Sequence, residues 1–261
     1  VKTQLGLADA RFCLSGAAPI PNSLLEWYGK LGLEILEVYG MTENMGYSHS
    51  TRSGKSRVGY VGQPNPGVEV KLGDGNEVLV KSPATMLGYY KEPEKTAETL
   101  DDEGFIHTGD VGHIEADGSL KITGRIKEIF KTSKGKYVAP VPIEQQLGAI
   151  PGNESVCVMG SGYPQPFAVV VLNEECRGML SDVDKRDEFD KHTSSLLEDL
   201  NQSLAAHERL AFIVFVRDLW SIENGMLTHT LKIKRAVIEH AYDSVAQQWF
   251  DAQERVIHHR G

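Results

Sequence analysis

Apolar residues along this 261-residue chain fall into short runs whose character changes twice. Residues 10–19 (ARFCLSGAAP) read as a short strand entering a glycine turn. The next run, 21–32 (PNSLLEWYGKLG), reads as a short helix, with Pro21 suited to its first turn and Gly32 to its end. EILEVYG (34–40) supplies a second strand. Strand, short helix and strand in that order predict parallel pairing with a right-handed crossover. Ligands collect where such strands end, and Gly16 and Gly40 both fall at carboxyl ends. Residues 44–66, rich in Gly, Ser and Asn, read as loop.

From Gly67 the pattern alternates. VEVKL, the turn GDGN and EVLVK predict a hairpin over 68–81. A short helix at 93–100 precedes a second hairpin, GHIEA and SLKITG joined by Asp117-Gly118. After Arg125 come a strand at 128–132, a helix at 142–147, strands at 154–160 and 167–173, a polar helix over 184–207, a buried strand at 209–216 and a last helix over 231–248. The fold class is therefore α/β plus α+β: a parallel αβ piece, a small antiparallel β unit, and a compact α+β domain.

Composition narrows the picture. With 41% hydrophobic residues the chain can bury a substantial core, and a formal charge of −9 argues against a nucleic-acid-binding surface. Cys13, Cys157 and Cys176 are odd in number and widely scattered, which predicts neither a disulfide framework nor a zinc site. With no transmembrane run and no signal segment, the chain reads as cytoplasmic, with peripheral membrane contact left open. A strand beginning almost at Val1 is expected of the C-terminal part of a longer protein.

Four segments in order carry the candidate chemistry: SGAAP (15–19), YGMTE (39–43), HTGD (107–110) with TGRIKEIFKTSKGKYVAP (123–140), and LTHTLKIKR (227–235). In YGMTE an aromatic ring can stack on a base, a glycine admits close backbone approach, and a carboxylate suits Mg²⁺. The ordered set resembles the superfamily of acyl-CoA synthetases, luciferases and peptide-synthetase adenylation domains. KTSKGKYVAPVPIE and TLKIKR are most similar to long-chain fatty acyl-CoA synthetases.

The resemblance implies the end of a large adenylation domain followed by a small mobile one. Residues 1–57 would finish its α/β adenylate-binding subdomain, 58–126 form its antiparallel β subdomain, and 127–261 the C-terminal domain, with the hinge near Lys127. Nucleotide binding falls to Gly16, Ala17, Ala18, Tyr39, Gly40, Met41, Thr42, Asp110 and Arg125. Tyr39 would flank the adenine, Asp110 accept from the ribose diol, Thr42 contact phosphate and Glu43 hold Mg²⁺. Lys232 matches the catalytic lysine of adenylation, although His229 stands where a proline is common. Gly135 and Lys136, with Lys134 nearby, match the coenzyme A loop, and Glu144 reads as part of a helix start.

The implied reaction joins fatty acid, ATP and CoA through an acyl-AMP, Mg²⁺ assisting. Two alternatives stay open: a fatty-acyl-AMP ligase loading a carrier-protein thiol, and a nucleotide-binding relative without catalysis. The superfamily's Ser/Thr/Gly-rich phosphate loop has no counterpart here, so these residues alone are expected to show little or no ligase activity.

Overall fold

The structure, a computed structural model, describes residues 1–259. It forms two units, Val1–Lys127 and Glu128–Gly261.

The first unit opens with β1 (Cys13–Ser15), α1 (Asn22–Lys30) and β2 (Ile35–Tyr39). β1 and β2 pair in parallel, Cys13 opposite Ile35 and Ser15 opposite Glu37. Pro21 caps the start of α1, and Gly32 at φ +71° turns the chain out of it. β3 (His49–Ser50) and β4 (Gln63–Pro64) extend this sheet antiparallel, inside the stretch that reads as loop. Two-residue strands have no period to detect; their place is set by the Tyr39–His49 and His49–Pro64 pairings.

The second sheet is an antiparallel meander of β5 (Glu69–Leu72), β6 (Glu77–Lys81), β7 (Ile106–Ile114) and β8 (Leu120–Arg125), with α2 (Pro93–Thr99) before β7. Val78, Val80 and Leu120 form its core, and Tyr39 packs against them. β7 starts six residues earlier than the sequence pattern predicts, so HTGD lies within a strand. Thr108, Gly109 and Asp110 include two poor strand formers, and Gly109 sits at φ +69°. A register shift between Val111 and Gly112 follows, while Asp110 keeps its place opposite Arg125 of β8.

The second unit begins with a hairpin of β9 (Phe130–Lys131) and β10 (Tyr137–Val138), then α3 (Pro140–Leu147). β11 (Asn153–Met159), β12 (Phe167–Leu172), α4 (Glu174–Met179), α5 (Val183–Ser203), β13 (Ile213–Val216), α6 (Arg235–Ala252) and β14 (Val256–His259) complete it. The sheet runs β11-β12-β13-β14, its first pair antiparallel and the others parallel.

β12 explains the layering. Every residue of FAVVVL is buried, and alternate side chains serve opposite faces. Ala168, Val170 and Leu172 join Ile143, Leu147 and Leu197 under α3 and α5. Phe167, Val169 and Val171 join Ile238, Tyr242 and Trp249 of α6. Those α6 residues recur at helical spacing, which is why one stripe of an otherwise polar helix is buried.

Helix ends differ from expectation for local reasons. Asp182 accepts from the N–H groups of Asp184 and Lys185, fixing the start of α5. The last helix starts at Arg235 rather than 231, because Leu231 takes φ +59° inside a turn that Thr228 and Lys232 close. α4 and β14, which the pattern does not predict, are too short to carry a period.

Candidate active site

In the first unit Tyr39, Asp110 and Arg125 meet. Tyr39 Oη donates to Asp110 Oδ2 at 2.6 Å, and Arg125 Nε donates to Oδ1 at 2.6 Å. Asp110 is 7% exposed, whereas the Arg125 side chain is 52% exposed. Below the carboxylate, Thr108 Oγ1 accepts from the Asp110 N–H at 3.0 Å and donates to the Val78 carbonyl. A carboxylate offers about four lone-pair sites, so both oxygens keep acceptor capacity toward a diol. Burial, then the Asp110 charge and hydrogen bond, raise the Tyr39 phenol above its usual pKa; it stays a neutral donor.

His49, opposite Tyr39 in the ladder, lies with its ring 5.9 Å from the tyrosine ring. It is fully buried, and Ser48 Oγ sits 2.8 Å from Nδ1. Burial lowers its pKa to about 4, so the imidazole is neutral. Nε2 finds no partner among the described residues.

The turn after β2 is built by close backbone approach. A Cβ on Gly40 would stand 2.4 Å from the Gly46 carbonyl carbon, so only glycine fits. A 3₁₀ turn, Thr42–Asn44, follows, with Met41 N–H donating to the buried Asn44 Oδ1 at 3.0 Å. Glu43 is tied twice: its carbonyl accepts from Met86 N–H at 2.7 Å, and Oε1 accepts from Tyr89 Oη at 2.5 Å. Glu43 and the Thr42 hydroxyl are hard oxygen donors, the kind Mg²⁺ and its phosphate ligands require. Gly16 packs against β2, where a Cβ would meet Val38 Cγ2 at 2.5 Å. Ala17, at φ +68°, and Ala18 are exposed.

In the second unit Gly135 turns the chain between β9 and β10 at φ +76°. The loop is held by Gly135 N–H to Thr132 O, Thr132 N–H to Lys136 O and Ser133 N–H to Tyr163 O. Lys134, Gly135 and Lys136 are exposed. Lys232 is also exposed, on the loop before α6 rather than on the helix. Its N–H donates to Thr228 Oγ1 at 3.0 Å and its carbonyl accepts from Thr228 N–H at 2.8 Å, so the backbone is fixed while the ammonium group is not. Lys127 is exposed in the 3₁₀ turn Ile126–Glu128.

Sequence reasoning missed several residues. Tyr89, His49 and Asn44 belong to no motif, and their roles depend on contacts that the pattern does not encode. Arg235, to which the sequence assigns no role, has a side chain only 9% exposed. Its guanidinium grips both oxygens of Glu144, at 2.7 and 3.0 Å. The run of basic residues at 232–235 hid which one is buried.

These features, a short parallel αβ unit ending in YGMTE and a β meander offering Asp110, are those of an adenylate-forming domain. Comparison with known proteins agrees. The model for the AMP-binding enzyme family matches residues 2–90, and that for the AMP-binding enzyme C-terminal domain matches residues 127–254. The chain belongs to the AMP-binding enzyme family.

Among curated relatives, a putative fatty-acid–CoA ligase, fadD11, of Mycobacterium tuberculosis is 30% identical over 98% of this chain and 47% of that protein. Human long-chain-fatty-acid–CoA ligase 1 is 33% identical over 94% of this chain and 38% of that one. Among solved structures, anthranilate CoA ligase AuaEII in complex with anthranoyl-AMP superposes with a TM-score of 0.73 and 27% identity, covering 92% of this chain and 46% of that one. The chain thus spans about half or less of the length of the relatives it matches. Among the described residues, no helix is long and apolar enough to cross a membrane.

Proposed function

We propose that the gene product bearing this chain is an ATP-dependent, AMP-forming long-chain fatty acid–CoA ligase. The observation that carries the reading is the Tyr39–Asp110–Arg125 junction: an aromatic ring at the end of β2 and an oriented carboxylate within β7, side by side. That pairing suits a nucleoside, the ring for the base and the acid for the diol.

In the first half-reaction a fatty acid carboxylate oxygen attacks the α-phosphorus of ATP, and pyrophosphate leaves. Two anions must approach, so a mobile cation that touches both lowers the barrier most at the transition state. Lys232 has the right character: its backbone is pinned and its ammonium group is exposed. Glu43 would hold Mg²⁺, which neutralises phosphate charge when bound, and the Thr42 hydroxyl would contact phosphate. In the second half-reaction the CoA thiol attacks the acyl-AMP carbonyl and AMP departs. Gly135 offers a backbone with no side chain for the pantetheine arm to pass, and Lys134 and Lys136 offer charge to the CoA phosphates. Rotation about Lys127 would exchange the Lys232 and Gly135 faces at one nucleotide. Carrying no phosphate loop, residues 1–261 alone are expected to be inactive.

The test is pyrophosphate release by the intact gene product with a panel of carboxylic acids, with and without CoA. Release that depends on fatty acid, with acyl-CoA formed when CoA is present, supports the reading. Adenylate formation without transfer to CoA points to a carrier-protein thiol, and no adenylate with any acid rejects it.

A further inference from the structure

The second unit holds one charged side chain that is deeply buried and tied to several separate elements. Arg235 is the first residue of α6, three positions after Lys232. Its Nη1 donates to Glu144 Oε1 at 2.7 Å, to the Val158 carbonyl at 2.8 Å and to Cys157 Sγ at 3.2 Å. Its Nη2 donates to Glu144 Oε2 at 3.0 Å and to Glu128 Oε2 at 3.5 Å. Glu144 Oε1 also accepts from the Val158 N–H at 2.7 Å. One guanidinium therefore joins α3, the end of β11, the start of α6 and Glu128, the residue after Lys127. Burial raises the Cys157 pKa, so the thiol is neutral and the countercharge comes from the two glutamates.

The Lys232 loop is anchored from the same place. Lys234 N–H donates to the Met226 carbonyl at 2.8 Å, and Leu227 bridges Ile233, closing a narrow loop whose exposed tip carries Lys232. Leu227 is buried in the α6-side core, so one stem of the loop is held by packing. The other stem runs directly into Arg235. A fork-shaped donor matched to a carboxylate fixes direction as well as distance, which a lysine ammonium does not.

We propose that Arg235 is a positioning residue for adenylation: by locking the α6 start to Glu144, Val158 and Glu128, it sets where the Lys232 loop stands. The catalytic part of this rests on the ligase reading above. The lock acts on the Lys232 loop and not on the Gly135 loop, whose own bonds run through Thr132 and Tyr163. It should therefore matter to one half-reaction more than the other.

The experiment uses the intact gene product with Arg235→Lys, which keeps the buried charge, and Glu144→Gln as a second variant in case the first folds poorly. Amide hydrogen exchange across 227–234 is measured beside fatty-acid-dependent pyrophosphate exchange and thioester formation from supplied acyl-AMP. The expected result is exchange at least tenfold faster in 227–234, with the β11–β14 sheet unchanged. Adenylation should fall about 10- to 100-fold and thioester formation by less than threefold. Unchanged amide exchange in the loop, or a parallel fall in both half-reactions, overturns the proposal. Failure of the ligase reading looks different: wild-type protein would then form no acyl-AMP.

Discussion

Tyr39 and Asp110, 71 residues apart in sequence, share a 2.6 Å hydrogen bond that joins the end of a parallel strand to the middle of an antiparallel one. The phenol is a donor to a buried carboxylate, so its hydroxyl orients the acid while its ring remains a flat surface. Tyr39→Phe should keep the ring and lose the orientation. A hydrogen bond to a charged group contributes about 1.5–3 kcal/mol, so ATP affinity is expected to weaken by roughly tenfold or more. Isothermal titration with the intact gene product checks this; unchanged affinity would separate Asp110 from nucleotide binding.

Gly40 is confined by the Gly46 backbone rather than by a special dihedral. Gly40→Ala forces a Cβ to within 2.4 Å of a carbonyl carbon, which must move the YGMTE turn. Overpacking of this kind costs about 1–3 kcal/mol. The expected result is a lower melting temperature together with weaker nucleotide binding. A variant with wild-type melting and binding would show that the turn is pliable.

Gly135 presents the reverse case. An added Cβ would have open space around it, with Lys131 Cε 3.7 Å away, and only φ +76° resists the change. Gly135→Ala should therefore fold, at a cost of about 1–2 kcal/mol for the left-handed backbone. It should slow thioester formation from supplied acyl-AMP several-fold and leave pyrophosphate exchange intact. Equal slowing of both steps would remove Gly135 from the CoA path.

Two buried groups give opposite pH signatures. Unfolded His49 takes up a proton near pH 6.5, whereas the buried imidazole resists until about 4, so its contribution to stability falls as pH drops through that window. Burial raises the Glu37 carboxyl from 4.5 to about 7, so the stability it contributes is full below 4.5 and is lost as pH climbs toward 7. Urea unfolding should show His49→Gln gaining on wild type by about 2 kcal/mol between pH 7 and 5. Glu37→Gln should gain by about 1–2 kcal/mol, after allowance for solvent screening, between pH 5 and 8. Slopes of the opposite sign would contradict the burial of these groups.

Much of the fold was legible because hydrophobic period reports burial. FAVVVL read as a strand, which the structure buries on both faces, and the β5–β6 hairpin followed from its alternation and its GDGN turn. What stayed hidden depended on contacts between distant residues. β7 was read too short, since Asp110 is held in a strand by the β8 ladder and the Gly109 N–H by Glu77 Oε1, rather than by propensity. The motifs led to Tyr39, Asp110 and Arg125, which do meet. They gave no hint that Tyr89 would hold Glu43, or that Arg235 would be buried while its neighbour Lys234 stays exposed. Charge type is written in a sequence; which of several cations turns inward is decided by the carboxylates folded against it.

The most direct test replaces Lys232 by alanine in the intact gene product and measures the two half-reactions separately. Fatty-acid-dependent pyrophosphate exchange should fall at least a hundredfold, because the cation that meets both anions is gone, while thioester formation from supplied acyl-AMP should stay within a few-fold of wild type. Survival of both half-reactions, or equal loss of both, would contradict an adenylation site served by Lys232.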